Sequence, residues 1–334
     1  MKPLNSLQAH IQSKVDAAPQ SSGPRQHDAF LHDVVVGLGA AEKWLPSRWL
    51  YDTRGSELFE LITELPEYYP TRTETSILRT AASSIAEFSS PATSLIEYGA
   101  GAGVKTQILL DAFTNLTTYV PIDIAADFLD DAARRISDKY TGLTVQPLVA
   151  DFTSEFAMPA NLPTCGRRVG FFPGSTIGNL TDPETIEFLG RMTGHVGNDG
   201  SAVVGFDLVK DVDKMLAAYD DSQGVTADFN LNILRRINRE LHADFPIESF
   251  SHEARWNCDF WAVEMHLVSR RAHEVTVDGK TFEFQAGESI RTETCRKFDL
   301  REIASIAYRS GWRLDRFWMD DDRQFAVAGL LALY

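Results

Sequence analysis

Cysteine is scarce: Cys165, Cys258 and Cys295 are the three in 334 residues, they lie far apart, and none forms a C-x-x-C pair. That argues against a disulfide framework or a cysteine zinc site and points to a reducing compartment. The eight histidines contain no H-E-x-x-H, so no metal is expected. No apolar run approaches the roughly 20 residues that cross a bilayer. Met1-Lys-Pro-Leu-Asn-Ser6 also lacks the apolar centre of a signal peptide. A soluble, cytoplasmic protein with no membrane partner is the expectation, which makes the glycosylation sequons at Asn115 and Asn179 accidental. Basic residues are the minority, 32 against 47 acidic, giving a net charge of −15 that repels phosphate backbones and disfavours nucleic acid.

What is present begins with Ser94 to Thr106, a short apolar run, then Glu97, then glycines at Gly99, Gly101 and Gly103. Glycine at alternate positions lets the chain turn tightly and approach a ligand at a strand-to-helix junction. The spacing E-x-G-x-G-x-G is not the G-x-G-x-x-G of dinucleotide binding, whose helix faces a pyrophosphate. It resembles the first motif of S-adenosylmethionine-dependent methyltransferases, whose ligand has no phosphate. Tyr119 to Asp123 reads as a second strand ending in a carboxylate suited to ribose hydroxyls, and Val145 to Ala150 leads to Asp151-Phe152, a carboxylate and a ring suited to adenine. Taken singly, each of these acids also fits a turn or helix cap.

The length and a 44% hydrophobic content suit one large domain or two modest ones. Ala17 to Gln26 is rich in Ser, Pro and Gln and reads as a flexible lead, with folded structure from about Asp28. Thr71-Arg-Thr-Glu74 matches a capping box, predicting a helix over 72–87. Strands near Leu95, Tyr119, Val145, Val169 and Ala202 alternate with helices such as 126–140, the pattern of a doubly wound parallel sheet. A helix near 300–310 and strands over 313–318 and 324–333 end the chain. Between lies a stretch of different character: Leu231 to His242 reads as an amphipathic helix, and Val263 to Phe284 as a hairpin about Asp278-Gly279.

Longer segments carry a more specific resemblance. Trp49-Leu-Tyr-Asp-Thr-Arg-Gly-Ser-Glu-Leu-Phe59, Leu65 to Glu74, Gly174-Ser-Thr-Ile-Gly-Asn-Leu180, Ala217 to Thr226 and Arg291-Thr-Glu-Thr-Cys-Arg-Lys-Phe298 together resemble the histidine-specific Nα-methyltransferases of ergothioneine biosynthesis, over nearly the whole chain from about His32. The resemblance implies a Rossmann-like class I methyltransferase sheet with an antiparallel terminal strand pair, plus a second α+β substrate domain. On that basis 1–27 is the flexible lead, 28–72 and 208–297 the substrate-binding domain, and 73–207 and 298–334 the methyltransferase domain. It implies S-adenosylmethionine as methyl donor, L-histidine and its mono- and dimethylated forms as substrates, hercynine as product, and a monomer.

Residue by residue, the resemblance implies that Tyr51, Gly99, Gly101, Lys105, Asp123, Asp151 and Phe152 hold the cofactor, Lys105 through its methionine carboxylate. Asn179 and Tyr219 match positions that bind the α-amino and α-carboxylate groups, Tyr68 lies near both ligands, Met265 lines the imidazole pocket, and Glu293 accepts from the imidazole N–H. Cys295 departs from the family pattern, which has serine there as a second imidazole contact; a thiol is the weaker hydrogen-bonding group.

Attack of a neutral amine on a methyl group needs positioning and loss of one proton, and Tyr51 or Tyr68, or a water they hold, is expected to accept or relay that proton. Two alternatives remain open at the level of sequence: an N-methyltransferase for another amino acid or small amine, and a nucleotide-binding module without chemistry.

Overall fold

The computed structural model describes residues 24–101 and 103–333. Helix α1 (Pro24–Leu38), the two-residue strand β1 (Lys43–Trp44), α2 (Thr53–Thr63) and α3 (Tyr69–Phe88) come first. An alternating block follows: β2 (Ala92–Tyr98), α4 (Val104–Ala112), β3 (Thr118–Asp123), α5 (Ala126–Lys139), β4 (Thr144–Val145), β5 (Leu148–Val149), β6 (Arg167–Phe172), α6 (Asp182–Val196) and β7 (Ser201–Asp207). Then come α7 (Val212–Tyr219), α8 (Val225–Glu240), β8 (Phe250–Asn257), β9 (Ala262–Ser269), β10 (His273–Val277), β11 (Lys280–Phe284) and β12 (Ser289–Arg296). The chain closes with α9 (Leu300–Arg309), β13 (Trp312–Met319) and β14 (Phe325–Ala332).

The large sheet runs β13-β14-β7-β6-β2-β3-β4, with β5 also on β3. Strands β2 to β7 are parallel, whereas β14 pairs antiparallel with both β7 and β13. This is a class I methyltransferase sheet with its antiparallel terminal pair. Its strands read as apolar runs because both faces are covered. Phe172 packs with Phe188, Leu189, Ile303 and Trp312 on one face, while its neighbour Phe171 packs with Leu78, Ile85 and Leu109 on the other, as the two-residue period of a strand requires. All parallel strands point their carboxyl ends to one edge, where ligands of such sheets bind.

A second sheet, β1-β12-β9-β8, carries α7 and α8 and has its own core around Trp49, Leu58, Phe229, Leu234 and Leu267. The stretch 208–297 leaves the large sheet after Asp207 and returns at Phe298, which bridges to Leu208.

Several local expectations are corrected. Residues 1–23 of the expected lead lie outside the described residues, but α1 begins at Pro24, inside it. The capping box does not form: α3 starts at Tyr69 with Pro70 in its first turn, and Glu74 is buried. Arg72 instead donates to the carbonyls of Leu65 (3.0 Å) and Tyr68 (3.2 Å), fixing the Pro66–Pro70 segment. The strand near Val145 is two pieces on either side of Pro147, which has no N–H for the ladder. Helix α8 starts at Val225, six residues before the expected Leu231, because the Asp221 carboxylate caps it by accepting from Val225 N (3.1 Å) and Thr226 N (2.7 Å). The Asp278-Gly279 hairpin joins β10 to β11, but Val263 belongs to the separate strand β9.

Candidate active site

At the carboxyl edge of the large sheet, Gly99, Gly101 and Gly103 have φ of 72°, 47° and 76°, in the left-handed region that a side chain disfavours. A Cβ at Gly101 would meet nothing within 4 Å, so backbone conformation, not crowding, calls for glycine there. The loop is tied to β3 by Gly99 N to Ile122 O (2.8 Å). Asp123 holds it from the side, accepting from Gly101 N (3.3 Å) and Ala125 N (3.0 Å), and burial raises its carboxyl pKa. Asp151 accepts from Thr153 N at 2.9 Å and lies 4.0 Å from Arg48 Nε. The Phe152 ring sits 3.8 Å from where a Gly99 Cβ would be, edge-on to Phe172 at 5.3 Å. A carboxylate, an open glycine cradle, a second carboxylate and a ring thus follow one another along three strand ends, a donor set that fits a nucleoside without phosphate.

Glu97 does not belong to that row. It is buried below the loop, where it accepts from the Thr106 hydroxyl (2.7 Å) and from the Tyr119 hydroxyl. Burial pushes its pKa up to about 8, and through Thr106 it braces the first turn of α4. Lys105 is placed at the loop, but its Nζ lies 2.5 Å from Glu74 Oε2, which also accepts from Gly174 N at 2.8 Å. Gly174 in turn lines the neighbouring pocket with Asn179.

That pocket brings together Tyr51 and the six expected substrate residues, Tyr68, Asn179, Tyr219, Met265, Glu293 and Cys295. After β6 the chain takes a left-handed residue at Ser175 (φ 56°) into a 3-10 turn, Thr176–Asn179, whose last residue donates Nδ2 to Glu293 Oε1 at 2.9 Å. The turn lies hard against β12: a Cβ at Gly178 would stand 2.8 Å from Arg296 O and 3.3 Å from Cys295 Sγ. Close approach, not φ, requires this glycine. Across the sheet Glu293 faces Met265, just past a register shift between Arg291 and Glu293. Thr292, within the shift, donates 2.6 Å to Asn230 Oδ1, and such a bulge re-aims the next side chain. Burial first, against the Asn179 hydrogen bond and the Lys297 charge, leaves the Glu293 pKa at about 7.

A family model described as histidine-specific methyltransferase, SAM-dependent, matches residues 30–332. The chain belongs to this family. It is 41% identical over 306 residues to the histidine N-alpha-methyltransferase of Mycolicibacterium smegmatis, which covers 90% of this chain and 94% of that one. The enzyme of the same name from Mycobacterium tuberculosis is 40% identical over 307 residues, again 90% and 94%. The ergothioneine biosynthesis protein 1 of Neurospora crassa is 30% identical over 200 residues, 58% of this chain and 22% of that one.

In this S-adenosylmethionine-dependent methyltransferase the aromatic wall is continuous: Tyr51 and Phe229 centroids are 5.5 Å apart, Tyr68 and Tyr219 6.2 Å. Burial raises the pKa of Tyr51, Tyr68 and Tyr219, and the nearby Glu293 and Cys295 add to it. All three are held as neutral phenols, which disfavours a resident phenolate base at Tyr51 or Tyr68. Cys295 sits on the Tyr219 side: its Sγ accepts from the Tyr219 hydroxyl at 2.8 Å. Burial lifts its pKa, which keeps it a thiol.

Sequence reasoning missed the methyltransferase's buried charges. Asp207, at the end of β7, contacts Lys297 (2.8 Å) and Lys210 (2.5 Å) and accepts from the Tyr69 hydroxyl (2.8 Å). Two signals were available. Asp207 is another acid at a strand end, and Glu293, Cys295 and Lys297 recur with the two-residue period that puts side chains on one strand face.

Proposed function

We propose that this methyltransferase moves methyl groups from S-adenosylmethionine to the α-amine of L-histidine, three in succession, giving hercynine at the entry to ergothioneine biosynthesis. The observation that carries this reading is the Glu293–Asn179 pair in a buried aromatic pocket beside the carboxyl edge of the sheet. A buried carboxylate accepting an imidazole N–H selects against phenyl and aliphatic side chains, because left unpaired it costs about 1–3 kcal/mol or more. The names of the mycobacterial relatives, which specify histidine and its α-nitrogen, support the same choice.

Gly99, Gly101, Asp123, Asp151 and Phe152 would hold the donor, with Lys105 and Tyr51 at its methionine end. S-adenosylmethionine supplies a methyl group on a positively charged sulfur, open to in-line displacement by nitrogen. Asn179, one turn beyond β6, orients the amino-acid backbone, with Tyr219 on its carboxylate. Glu293 and Met265 hold the imidazole. Positioning of this kind removes roughly 7–11 kcal/mol of barrier, so no covalent nucleophile is needed. Tyr51 and Tyr68, as neutral hydroxyls, pass the departing ammonium proton to water. We assign substrate binding to 28–72 and 208–297 and the donor to 73–207 and 298–334; the separate cores around Leu267 and around Phe171–Phe172 support that division.

Incubation of the protein with S-adenosylmethionine and L-histidine, followed by mass spectrometry, tests the reading. Successive gains of one, two and three methyl groups are expected. Equal rates on tryptophan or tyrosine would defeat it.

A further inference from the structure

Behind Tyr219 the pocket wall holds a cation that the mechanism above does not use. Lys297 follows β12 directly, and its side chain has no solvent exposure. Its Nζ lies 2.8 Å from Asp207 Oδ2, 2.9 Å from the Tyr219 hydroxyl oxygen and 3.3 Å from Cys295 Sγ. An ammonium has three N–H donors and no acceptor, so all are committed. The direction of the neighbouring bond follows. Tyr219 oxygen accepts from Lys297, which leaves the phenol's own proton to be donated elsewhere, here to Cys295 Sγ at 2.8 Å.

Asp207 is one carboxylate facing two ammonium groups, Lys297 and Lys210 at 2.8 and 2.5 Å. Its other contacts, the Tyr69 hydroxyl and its own backbone N–H bound to Ser175 Oγ, are neutral. Glu293, the second carboxylate of the pocket, is engaged with Asn179 at 2.9 Å. Burial alone would strip the Lys297 proton, but the Asp207 carboxylate outweighs it and holds the ammonium charged. An anion that enters beside the Tyr219 hydroxyl therefore meets an ammonium already bonded behind the phenol. Amino acids carry such an anion on the atom next to the amine; simple amines do not.

We propose that Lys297 is a positioning residue that reads the substrate's α-carboxylate through the Tyr219 hydroxyl, making the enzyme demand an amino acid over the corresponding amine. The inference rests on the histidine reading above. A phenol that accepts from an ammonium becomes a stronger donor. When the carboxylate enters, the Tyr219 proton turns from Cys295 Sγ to the carboxylate, and the cation behind it makes the bond charge-assisted. The amine, fixed by the same backbone, is then aimed.

The test compares L-histidine with histamine, which lacks only the carboxylate, using the KM and kcat of histidine and the inhibition constant of histamine. Lys297→Met is expected to raise the histidine KM about tenfold or more, with a smaller change in kcat and an inhibition constant for histamine that moves far less. In a Tyr219→Phe background the same substitution should no longer change the ratio. Because Lys297→Met leaves Asp207 with one partner fewer, Asp207→Asn/Lys297→Met is measured beside it, and the same narrowed ratio is expected. Equal weakening of both ligands, or an unchanged ratio in either folded variant, overturns the proposal. A wild-type protein inactive on histidine overturns the histidine reading instead, and Lys297 is then judged on whichever amino acid and matching amine are the pair.

Discussion

Glu74 grips both Lys105 and the backbone of Gly174, one carboxylate oxygen lying 2.5 Å from the ammonium and 2.8 Å from the amide nitrogen. The contact ties α3, the glycine loop and the end of β6 together, so one buried residue sets the spacing between donor and acceptor sites. Lys105→Met is expected to leave that carboxylate buried without its counter-ion, held by Gly174 N alone, and cost roughly 3–5 kcal/mol of stability, measurable by urea unfolding. Glu74→Gln/Lys105→Met should recover most of the stability but not the affinity for S-adenosylmethionine, which calorimetry should find weakened about tenfold. Recovery of both would remove Lys105 from the cofactor site.

Glu293 and Glu97 both have carboxyl pKa values raised by burial, to about 7 and about 8 from 4.5. A raised native pKa means the folded state binds the proton more tightly than the unfolded one. Each group therefore adds stability that is fully present below about pH 4.5 and lost as pH rises through its native pKa. Denaturant midpoints should fall with pH across this window. Glu293→Gln should remove the part of the slope that ends near pH 7, and Glu97→Gln the part that ends near pH 8. A slope unchanged in both variants would show that neither group titrates there.

Gly178→Ala puts a methyl group 2.8 Å from the carbonyl oxygen of Arg296. Backbone is poorly able to give way, so the 3-10 turn must move and carry Asn179 from Glu293. The expected outcome is a loss of about 1–3 kcal/mol and a raised histidine KM, with affinity for the methyl donor unchanged. Thermal unfolding and steady-state kinetics check the two halves separately.

Cys295→Ser puts a hydroxyl in a place where the thiol accepts from Tyr219 and Lys297. It should keep the fold and leave kcat within about threefold, because a hydroxyl accepts from the same donors. Cys295→Ala removes that acceptor and should cost about 1–3 kcal/mol. Equal melting temperatures for the two variants would contradict this account.

The large sheet was legible in the sequence because its signals are local: apolar runs, glycine spacing, an acid at each strand end. Asp123, Asp151 and Phe152 came out of that pattern and lie where it put them. Glu97 did not, since spacing marks the end of a strand without saying whether a side chain faces the ligand or the core. Asn179, Tyr219 and Glu293 needed the family resemblance; what joins them is a close approach at Gly178 and a bulge at Thr292, both tertiary. Lys297 was overlooked because lysine at a strand end ordinarily reaches water, and its ion pair with Asp207, distant in sequence, compensates its charge inside. Glu74 satisfied a local helix-start rule and was recruited by a distant lysine instead.

The Leu208–Phe298 bridge and the Asp207–Lys297 ion pair lie side by side where the chain leaves and rejoins the large sheet. Between them the chain builds β8, β9 and β12 of the second sheet, whose remaining strand, β1, comes from the N-terminal segment. Because the stretch 208–297 departs and returns at adjacent points, a change in its length or shape leaves the strand order of the large sheet intact.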